Sequence, residues 1–250
     1  MYILSSITFG CVCLYLVSAA TVLPESWKIC KKSDKKLNEC LKSSIQTVVR
    51  ELKTGNSKFG LPPTEPLLIE EVVLHQGNGQ AVGLDLTFRK LKMYGLSRVV
   101  VDKVSARYDK DQLSADFHID GDFRIESDYT AKGRVLVLPI NGAGKNVLKF
   151  DNLKGKLDMK FNKIKKGADT YYNVNKCDIM LDTSRLHLDF KRSSSVNEGL
   201  GQNLNTVLNE NWKEILTDLK PAISKAFGAA FKDLANRVFS KVPLDKVMPA

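Results

Sequence analysis

The C-terminal part of the chain carries apolar residues at the spacing of one helical face. Between Asn203 and Phe239 they recur at steps of three, four or seven positions, which places them on one stripe of an α-helix. The positions are Leu204, Leu208, Ile215, Leu219, Ile223, Phe227, Ala230, Leu234 and Val238. The pattern predicts a single helix of about 55 Å, far longer than the average helix. Pro221 falls inside it and predicts a kink, because its ring clashes with the preceding turn.

From Ile69 to Phe190 the apolar residues change to a period of two, the pattern of half-buried strands. The clearest alternating runs are residues 82–88, 113–119, 123–129, 157–161 and 186–190. Short turns such as Asp109–Asp111 separate several of them and favour antiparallel hairpins. Residues 135–138 are apolar at every position, which predicts a strand covered on both faces. No alternation of strands with helices appears, which excludes a doubly wound parallel sheet.

A shorter apolar stripe near the N-terminus predicts an amphipathic helix that ends near Gly55 and caps or flanks the sheet. Its positions are Leu37, Leu41, Ile45, Val48 and Leu52. The predicted fold class is therefore α+β, with a long C-terminal helix wrapped by a strongly curved antiparallel sheet and a short N-terminal helix. One helix about 10 Å wide covers only two or three strands, so part of the inward sheet surface would line a cavity. Sheet curvature or a second layer is the alternative way to close that space.

The first twenty residues predict a secretory signal sequence. They contain no charged side chain, include an apolar run from Ile7 to Val17, and end in Ser18-Ala19-Ala20, which suits cleavage before Thr21. A membrane anchor is the alternative, but the run is shorter than the roughly 20 residues that span a bilayer. We therefore expect a secreted protein in which residues 21–250 form one domain.

Three of the five cysteines remain after such cleavage. In an oxidising compartment Cys30 and Cys40 are expected to form a disulfide. Cys177 alternates with Ile179 and Leu181, so we expect a small buried apolar side chain there, with a reactive thiol as the alternative.

The formal net charge of +10 raises the question of an acidic partner. Lysines are spread along the whole chain, and clusters such as Lys163, Lys165 and Lys166 have no interleaved aromatic residues on which bases could stack. This argues against nucleic-acid binding. Solvated protein faces and a weak contact with an anionic membrane surface are the remaining interpretations.

Alternate positions in one strand region carry the sharpest candidate for a metal site: Asp116, His118, Asp120 and Asp122. Such residues are about 6.6 Å apart, and no second strand is identifiably placed to complete the ligand set, so we interpret them as solvent-facing. The chain has no Gly-x-Ser-x-Gly elbow, phosphate-binding loop or Cys-x-x-Cys pair. We therefore expect a protein that is not an enzyme and that binds neither a metal nor a cofactor.

Several segments, in the same order, resemble the takeout/juvenile-hormone-binding family of insects. They are the Cys30/Cys40 pair and residues 60–72 (GLPPTEPLLIEEV), 91–99 (LKMYGLSRV), 128–144 (DYTAKGRVLVLPINGAG) and 200–227 (LGQNLNTVLNENWKEILTDLKPAISKAF). The resemblance covers nearly the whole mature chain. It implies a tubular lipid-binding fold with an apolar tunnel, and a carrier secreted into haemolymph or chemosensory fluid. Such a carrier binds a terpenoid hormone such as juvenile hormone, a fatty acid or another long-chain lipid without transforming it, and some members are linked to circadian behaviour.

One departure from the family concerns cysteine. The hormone-binding branch carries a second disulfide, and this chain has no fourth mature cysteine to form it, which places it nearer the takeout branch. The alternative function is a basic membrane-surface lipid-binding or lipid-transfer protein, and a hydrolase acting on the bound lipid is a third hypothesis. We expect a monomer.

The predicted tunnel lining consists of residues in the inward register of the strands and helix, although ordinary core is an equal alternative for each. These residues are Leu86, Phe88, Phe117, Phe123, Leu136, Leu138, Phe150, Met159, Phe161, Ile179, Leu188, Phe227 and Phe231.

Overall fold

The computed structural model describes residues 22–77, 81–192 and 198–250, so the predicted signal sequence, residues 1–20, lies outside the described residues. The helices are α1 (Leu37–Glu51), α2 (Glu198–Glu210), α3 (Trp212–Phe239) and α4 (Leu244–Val247). The strands are β1 (Leu67–Gln76), β2 (Val82–Tyr94), β3 (Val99–Arg107), β4 (Gln112–Ile119), β5 (Phe123–Val135), β6 (Leu138–Asp151), β7 (Lys154–Lys166), β8 (Asp169–Asp182) and β9 (Arg185–Arg192). The predicted α+β class is confirmed. Among the described helices, none is both long and apolar enough to cross a membrane.

The strands form two sheets where the sequence predicted one. A five-stranded sheet has the order β1-β2-β5-β6-β9, and a four-stranded sheet has the order β3-β4-β7-β8. The pairings are antiparallel, as the short turns predicted, and neither sheet closes on itself. The strands β5 to β8 have 13 or 14 residues each, so they extend about 45 Å. This length matches the roughly 42 Å of α3, which has 28 residues.

The prediction of a doubly covered strand at residues 135–138 is wrong. Val135 ends β5 and Leu138 begins β6, so this apolar run forms the tip of a hairpin. Leu136 has a φ of 53°, and the side chain of Val137 is 87% exposed. The run contains no Gly, Asn or Asp, which are the usual sequence signals of a tight hairpin turn, and so its turn was not recognised.

The predicted single C-terminal helix is divided in two at Asn211. This residue has a non-helical ψ of 19°, and its side-chain amide donates to the carbonyl oxygen of Val207 at 2.8 Å. Asparagine side chains compete for backbone hydrogen bonds in this way, which makes asparagine a poor residue for a helix interior. Pro221 lies within α3, which continues on both sides of it.

Asparagine side chains of α2 bind the edge of the five-stranded sheet. The Asn205 amide accepts from the Phe190 N–H at 3.0 Å and donates to its carbonyl at 3.1 Å. One helical turn later, the Asn209 amide accepts from the Leu188 N–H at 2.9 Å and donates to its carbonyl at 2.7 Å. Because these amides act as a further strand would, the polar groups of β9 that face away from β6 are satisfied.

Amide side chains of α1 and α3 bind the two edges of the four-stranded sheet in the same way. Gln46 of α1 donates to the Val99 carbonyl and accepts from the Val101 N–H, both at 2.8 Å, along β3. Asn236 of α3 accepts from the Val174 N–H at 2.7 Å and donates to its carbonyl at 3.0 Å, along β8. The helices are thereby fixed in register with the sheets that they cover.

Replacing Asn209 with leucine is expected to lower the free energy of unfolding by about 2 kcal/mol, because the N–H and the carbonyl of Leu188 lose their partner at a partly buried edge. Urea denaturation would measure the change. The matched control is Glu210→Leu at the adjacent exposed position, for which we expect a change within about 0.5 kcal/mol. Equal stabilities for the two variants would show that the edge bonds contribute little.

The main core lies between the two sheets and α3. It joins Phe88 and Phe123 from the five-stranded sheet, Ile179 from the four-stranded sheet, and Ile215 and Phe227 from α3. Both sheets and α3 therefore contribute apolar side chains to one cluster.

Close packing of α3 on β8 depends on Gly228. This residue is buried, and a Cβ atom built on it would lie 2.1 Å from the backbone oxygen of Cys177. No real side chain tolerates that distance, so only glycine allows this approach of helix to strand. The Cys177 side chain is buried, as predicted, and is unpaired.

The test uses a protein that begins at Thr21 and so lacks Cys11 and Cys13. When it is folded, Cys177 is expected to resist alkylation by iodoacetamide at pH 8, and after unfolding it is expected to take one adduct. Burial, with a smaller effect of Asp178, raises the pKa of its thiol to about 11, so little reactive thiolate forms. The raised pKa also means that unfolding releases this proton at alkaline pH. The free energy of unfolding should therefore fall as the pH rises from about 9 toward 11. Intact-mass analysis would check the adduct, and modification of the native protein would contradict the assignment.

The N-terminal segment is fastened by the predicted disulfide between Cys30 and Cys40. It joins the residues before α1 to the first turn of that helix, and α1 then packs along β3. Helix α1 starts at Leu37, and a short 3-10 turn follows it and ends before Gly55, whose φ is 77°. The predicted extent of the N-terminal helix is therefore confirmed.

Candidate functional site

An apolar cavity of about 630 Å³ lies among the two sheets and the helices. Strands of the five-stranded sheet contribute one wall, strands of the four-stranded sheet contribute another, and α1, α2, α3 and α4 close the remaining sides. The side chains that line it are overwhelmingly Leu, Ile, Val, Phe and Met. A site of this size and composition suits a small hydrophobic molecule.

The alternation of β2 shows why these side chains face inward. Val82, Leu84, Leu86 and Phe88 line the cavity, while the residues between them do not. Between Arg89 and Lys92 the pairing with β5 shifts at a bulge, where Lys90 has a φ of 50°. The extra residue changes the phase of the strand. Beyond the bulge, Leu91 and Met93 are therefore the residues that line the cavity.

Eleven of the thirteen predicted lining residues border the cavity. They are Leu86, Phe88, Phe117, Phe123, Phe150, Met159, Phe161, Ile179, Leu188, Phe227 and Phe231. Leu136 and Leu138 do not border it, because they lie at the tip of the β5–β6 hairpin. Their placement in the lining was wrong. For the other eleven, contact with a ligand stays a prediction.

Sequence reasoning predicted only part of the helical contribution to this cavity, because Phe227 and Phe231 were its only lining residues on a helix. The apolar stripe of α2 and α3 supplies many lining residues, and α1 lines the cavity where we expected it only to cap or flank the sheet. These residues are Leu41, Ile45, Val48, Leu204, Leu208, Ile215, Leu219 and Ile223. The periodicity of three and four contained the signal, since the stripe that faces a cavity has the same spacing as one that faces a core.

One of the polar regions of the cavity wall lies just after β3. Tyr108 follows β3, and its hydroxyl oxygen is buried without a hydrogen-bond partner among the described residues. The Lys163 ammonium donates to Asp111 Oδ2, at the end of the same turn, at 3.1 Å. It also lies 2.9 Å from Asp111 Oδ1, which is buried and has no hydrogen-bond partner among the described residues. Tyr108, Asp111 and Tyr172 all border the cavity. This cluster, Tyr108, Asp111, Lys163 and Tyr172, is called the tyrosine end below.

The ionisation of the tyrosine end follows from its burial. Burial, and to a smaller extent Tyr172, raises the pKa of Tyr108 to about 12. Burial, and then the neighbouring Asp111 carboxylate, raises the pKa of Tyr172 as well. The hydrogen bond with Asp111 raises the pKa of Lys163. At neutral pH both phenols are therefore uncharged hydrogen-bond donors beside a neutralised ion pair.

The histidines lie on the outside of the sheets. His118 does not join the aspartates at 116, 120 and 122; its Nδ1 lies 2.9 Å from Asp102 on the neighbouring strand. The other two histidines pair with aspartates across strands at 2.8 Å. Within residues 22–77, 81–192 and 198–250, no three His, Cys, Asp or Glu side chains form a group that could hold a metal ion.

Comparison with known proteins places these features in a family. The model of the haemolymph juvenile hormone binding protein family matches residues 7–249. The circadian clock-controlled protein daywake of Drosophila melanogaster is 23% identical over 236 residues, which cover 92% of this chain and 90% of daywake. Daywake of Drosophila yakuba is 22% identical over 240 residues, covering 94% of this chain and 91% of its own.

Among solved structures, Takeout 1 of Epiphyas postvittana is similar in fold. The two share 24% identity with a TM-score of 0.73, over 89% of this chain and 99% of Takeout 1. The match of the family model over almost the whole chain gives the assignment: the chain belongs to the haemolymph juvenile hormone binding protein family.

Proposed function

We propose that this protein is a secreted, monomeric carrier that sequesters one small hydrophobic ligand and does not transform it. The observation that supports the proposal most directly is the apolar cavity of about 630 Å³, to which both sheets and all four described helices contribute. Membership of a family named for binding a hydrophobic hormone in haemolymph agrees with it. The ligand class is a terpenoid, a fatty acid or another long-chain lipid.

Burial of apolar surface is the driving force in this mechanism. Removing about 400 Å² of lipid surface from water is favourable by roughly 10 kcal/mol before association costs. If association costs about 4 kcal/mol, about 6 kcal/mol remains, which corresponds to a dissociation constant of some tens of micromolar. A ligand that buries more apolar surface binds more tightly. Because the wall is almost wholly apolar, shape and length select the ligand more than hydrogen bonds do.

Native mass spectrometry of the protein secreted from insect cells, followed by organic extraction, tests the proposal. We expect one lipid at near one-to-one stoichiometry, and displacement of that lipid by terpenoid or fatty-acid probes. A protein that emerges without lipid and takes up neither kind of probe would overturn the carrier function.

A second candidate is lipid transfer at a membrane surface, which the β5–β6 hairpin tip favours. Val137 is 87% exposed there, beside the partly buried Leu136 and Leu138 and the exposed cation Arg134. An apolar tip next to positive charge suits insertion into an anionic bilayer. Salt-sensitive binding to phosphatidylserine vesicles that Val137→Asp abolishes would support this function. Equal sedimentation with and without vesicles at low salt would dismiss it.

A further inference from the structure

The unpartnered hydroxyl of Tyr108 is an unusual feature for the wall of an apolar cavity. The oxygen is buried, and among the described residues no group donates to it or accepts from it. Buried hydroxyl groups in proteins are nearly always hydrogen-bonded, because losing hydration without a replacement bond is unfavourable. Since Tyr108 borders the cavity, a polar atom of the bound molecule is in a position to supply the missing bond.

The turn that carries Tyr108 is held in place from several sides. The Asp111 N–H donates to the Tyr108 carbonyl at 3.2 Å, and the Phe161 N–H of β7 donates to the Asp111 carbonyl at 2.8 Å. Lys163, two residues further along β7, binds the Asp111 carboxylate. The backbone that positions Tyr108 is thus fixed to the neighbouring strand before any ligand arrives, which favours selective binding.

The charges of the tyrosine end select the chemistry of the bound group. Tyr108 keeps its proton at physiological pH, so it can donate a hydrogen bond. The Asp111 carboxylate disfavours a second anion nearby, and the Lys163 ammonium already has Asp111 as its counterion. A neutral oxygen acceptor therefore fits this position better than a carboxylate does. Esters, ketones, ethers and alcohols have such an oxygen.

We propose that the Tyr108 hydroxyl anchors the neutral oxygen-bearing end of the lipid at the tyrosine end, while the apolar remainder of the lipid fills the cavity. The inference rests on the proposed carrier function and adds to it a ligand orientation and a preference for neutral oxygenated lipids over hydrocarbons and free acids. Tyr108 would then set the orientation of the lipid and the preference for its head group, whereas the apolar wall selects by shape and length and supplies most of the affinity.

Three probes of equal chain length test this assignment by displacement of a fluorescent lipid: a methyl ketone, the corresponding n-alkane and the corresponding fatty acid. The wild-type protein should bind the ketone about 5- to 10-fold more tightly than the alkane, and more tightly than the acid at pH 7.5. Tyr108→Phe should remove the preference for the ketone and leave alkane affinity within about twofold.

Tyr129→Phe is the matched control, because Tyr129 borders the same cavity from β5 and the variant removes one hydroxyl elsewhere. It should keep the preference for the ketone.

A second measurement, the melting temperature of the ligand-free protein, does not depend on a ligand. Tyr108→Phe removes an unsatisfied buried group, so the ligand-free variant should melt at the same temperature as the wild type or a few degrees higher.

The outcomes separate this inference from the carrier function. If the alkane binds but Tyr108→Phe keeps the preference for the ketone, the role of Tyr108 is overturned and the carrier function stands. The same conclusion follows if the wild-type protein binds the alkane and shows no preference for the ketone. If none of the probes binds the wild-type protein, the carrier function is overturned and the anchor with it. A marked fall in melting temperature of Tyr108→Phe would show that the hydroxyl has a structural role.

Discussion

Replacing Gly228 with alanine is expected to lower the free energy of unfolding by about 3 kcal/mol. In most helices this change stabilises by up to about 1 kcal/mol, because alanine is the better helix former. Here the new methyl group would lie 2.1 Å from the backbone oxygen of Cys177. That oxygen belongs to a strand paired with β7, so α3 must move away from β8 and lose packing on both sides.

Urea denaturation at pH 7 would measure this effect. Ala229→Ser serves as the control, since it adds one atom at the neighbouring exposed position and should change stability by about 0.5 kcal/mol. If Gly228→Ala were as stable as the wild type, the close approach of α3 to β8 would be wrong in this region.

Replacing Leu157 with tryptophan is expected to weaken lipid binding by about 70-fold. Leu157 is the fourth residue of β7, borders the cavity and is only partly buried, so a larger side chain has room to extend into the cavity. Its neighbours in the sheet are Ala115, which is small, and Ile179. If the indole displaces about 100 Å² of ligand surface, the loss is about 2.5 kcal/mol.

Titration with a fluorescent terpenoid or fatty-acid probe would check the affinity, and circular dichroism would verify the fold. Ile164→Trp introduces the same residue on the same strand, at a position that is 39% exposed and outside the cavity wall. We expect wild-type affinity for that control. Unchanged binding by Leu157→Trp would mean that the lipid lies elsewhere.

Local periodicity was sufficient to predict the element types and eleven of the residues that line the cavity. Alternation identified Leu86 and Phe88 on β2 as inward-facing, and both border the cavity. It failed beyond Arg89, because a bulge inserts a residue and reverses which positions face inward. Alternation carries no information about where a bulge falls. Leu91 and Met93 were therefore missed.

The division into two sheets was beyond the reach of sequence patterns. It depends on which strands pair, and pairs such as β2 with β5 or β4 with β7 skip the strands that lie between them in the chain. Such pairing is decided by long-range packing that leaves no local mark. The tyrosine end was missed for the same reason. Tyr108 and Tyr172 are distant in sequence, and Tyr108 packs against a cluster to which α1 and Met248 contribute.

The side-chain amides of the helices that lie along the strand edges also affect the concentration that the protein can reach without aggregating. An open strand edge recruits strands from other molecules and starts aggregation. Here Gln46, Asn209 and Asn236 occupy the polar groups of β3, β9 and β8 that an incoming strand would need. The remaining edge, β1, displays the exposed carboxylate Glu70 and the Glu71–Arg89 ion pair, and charged residues on an edge disfavour pairing with a further strand. Among the described strands, three of the four sheet edges therefore have backbone groups that helix amides already occupy.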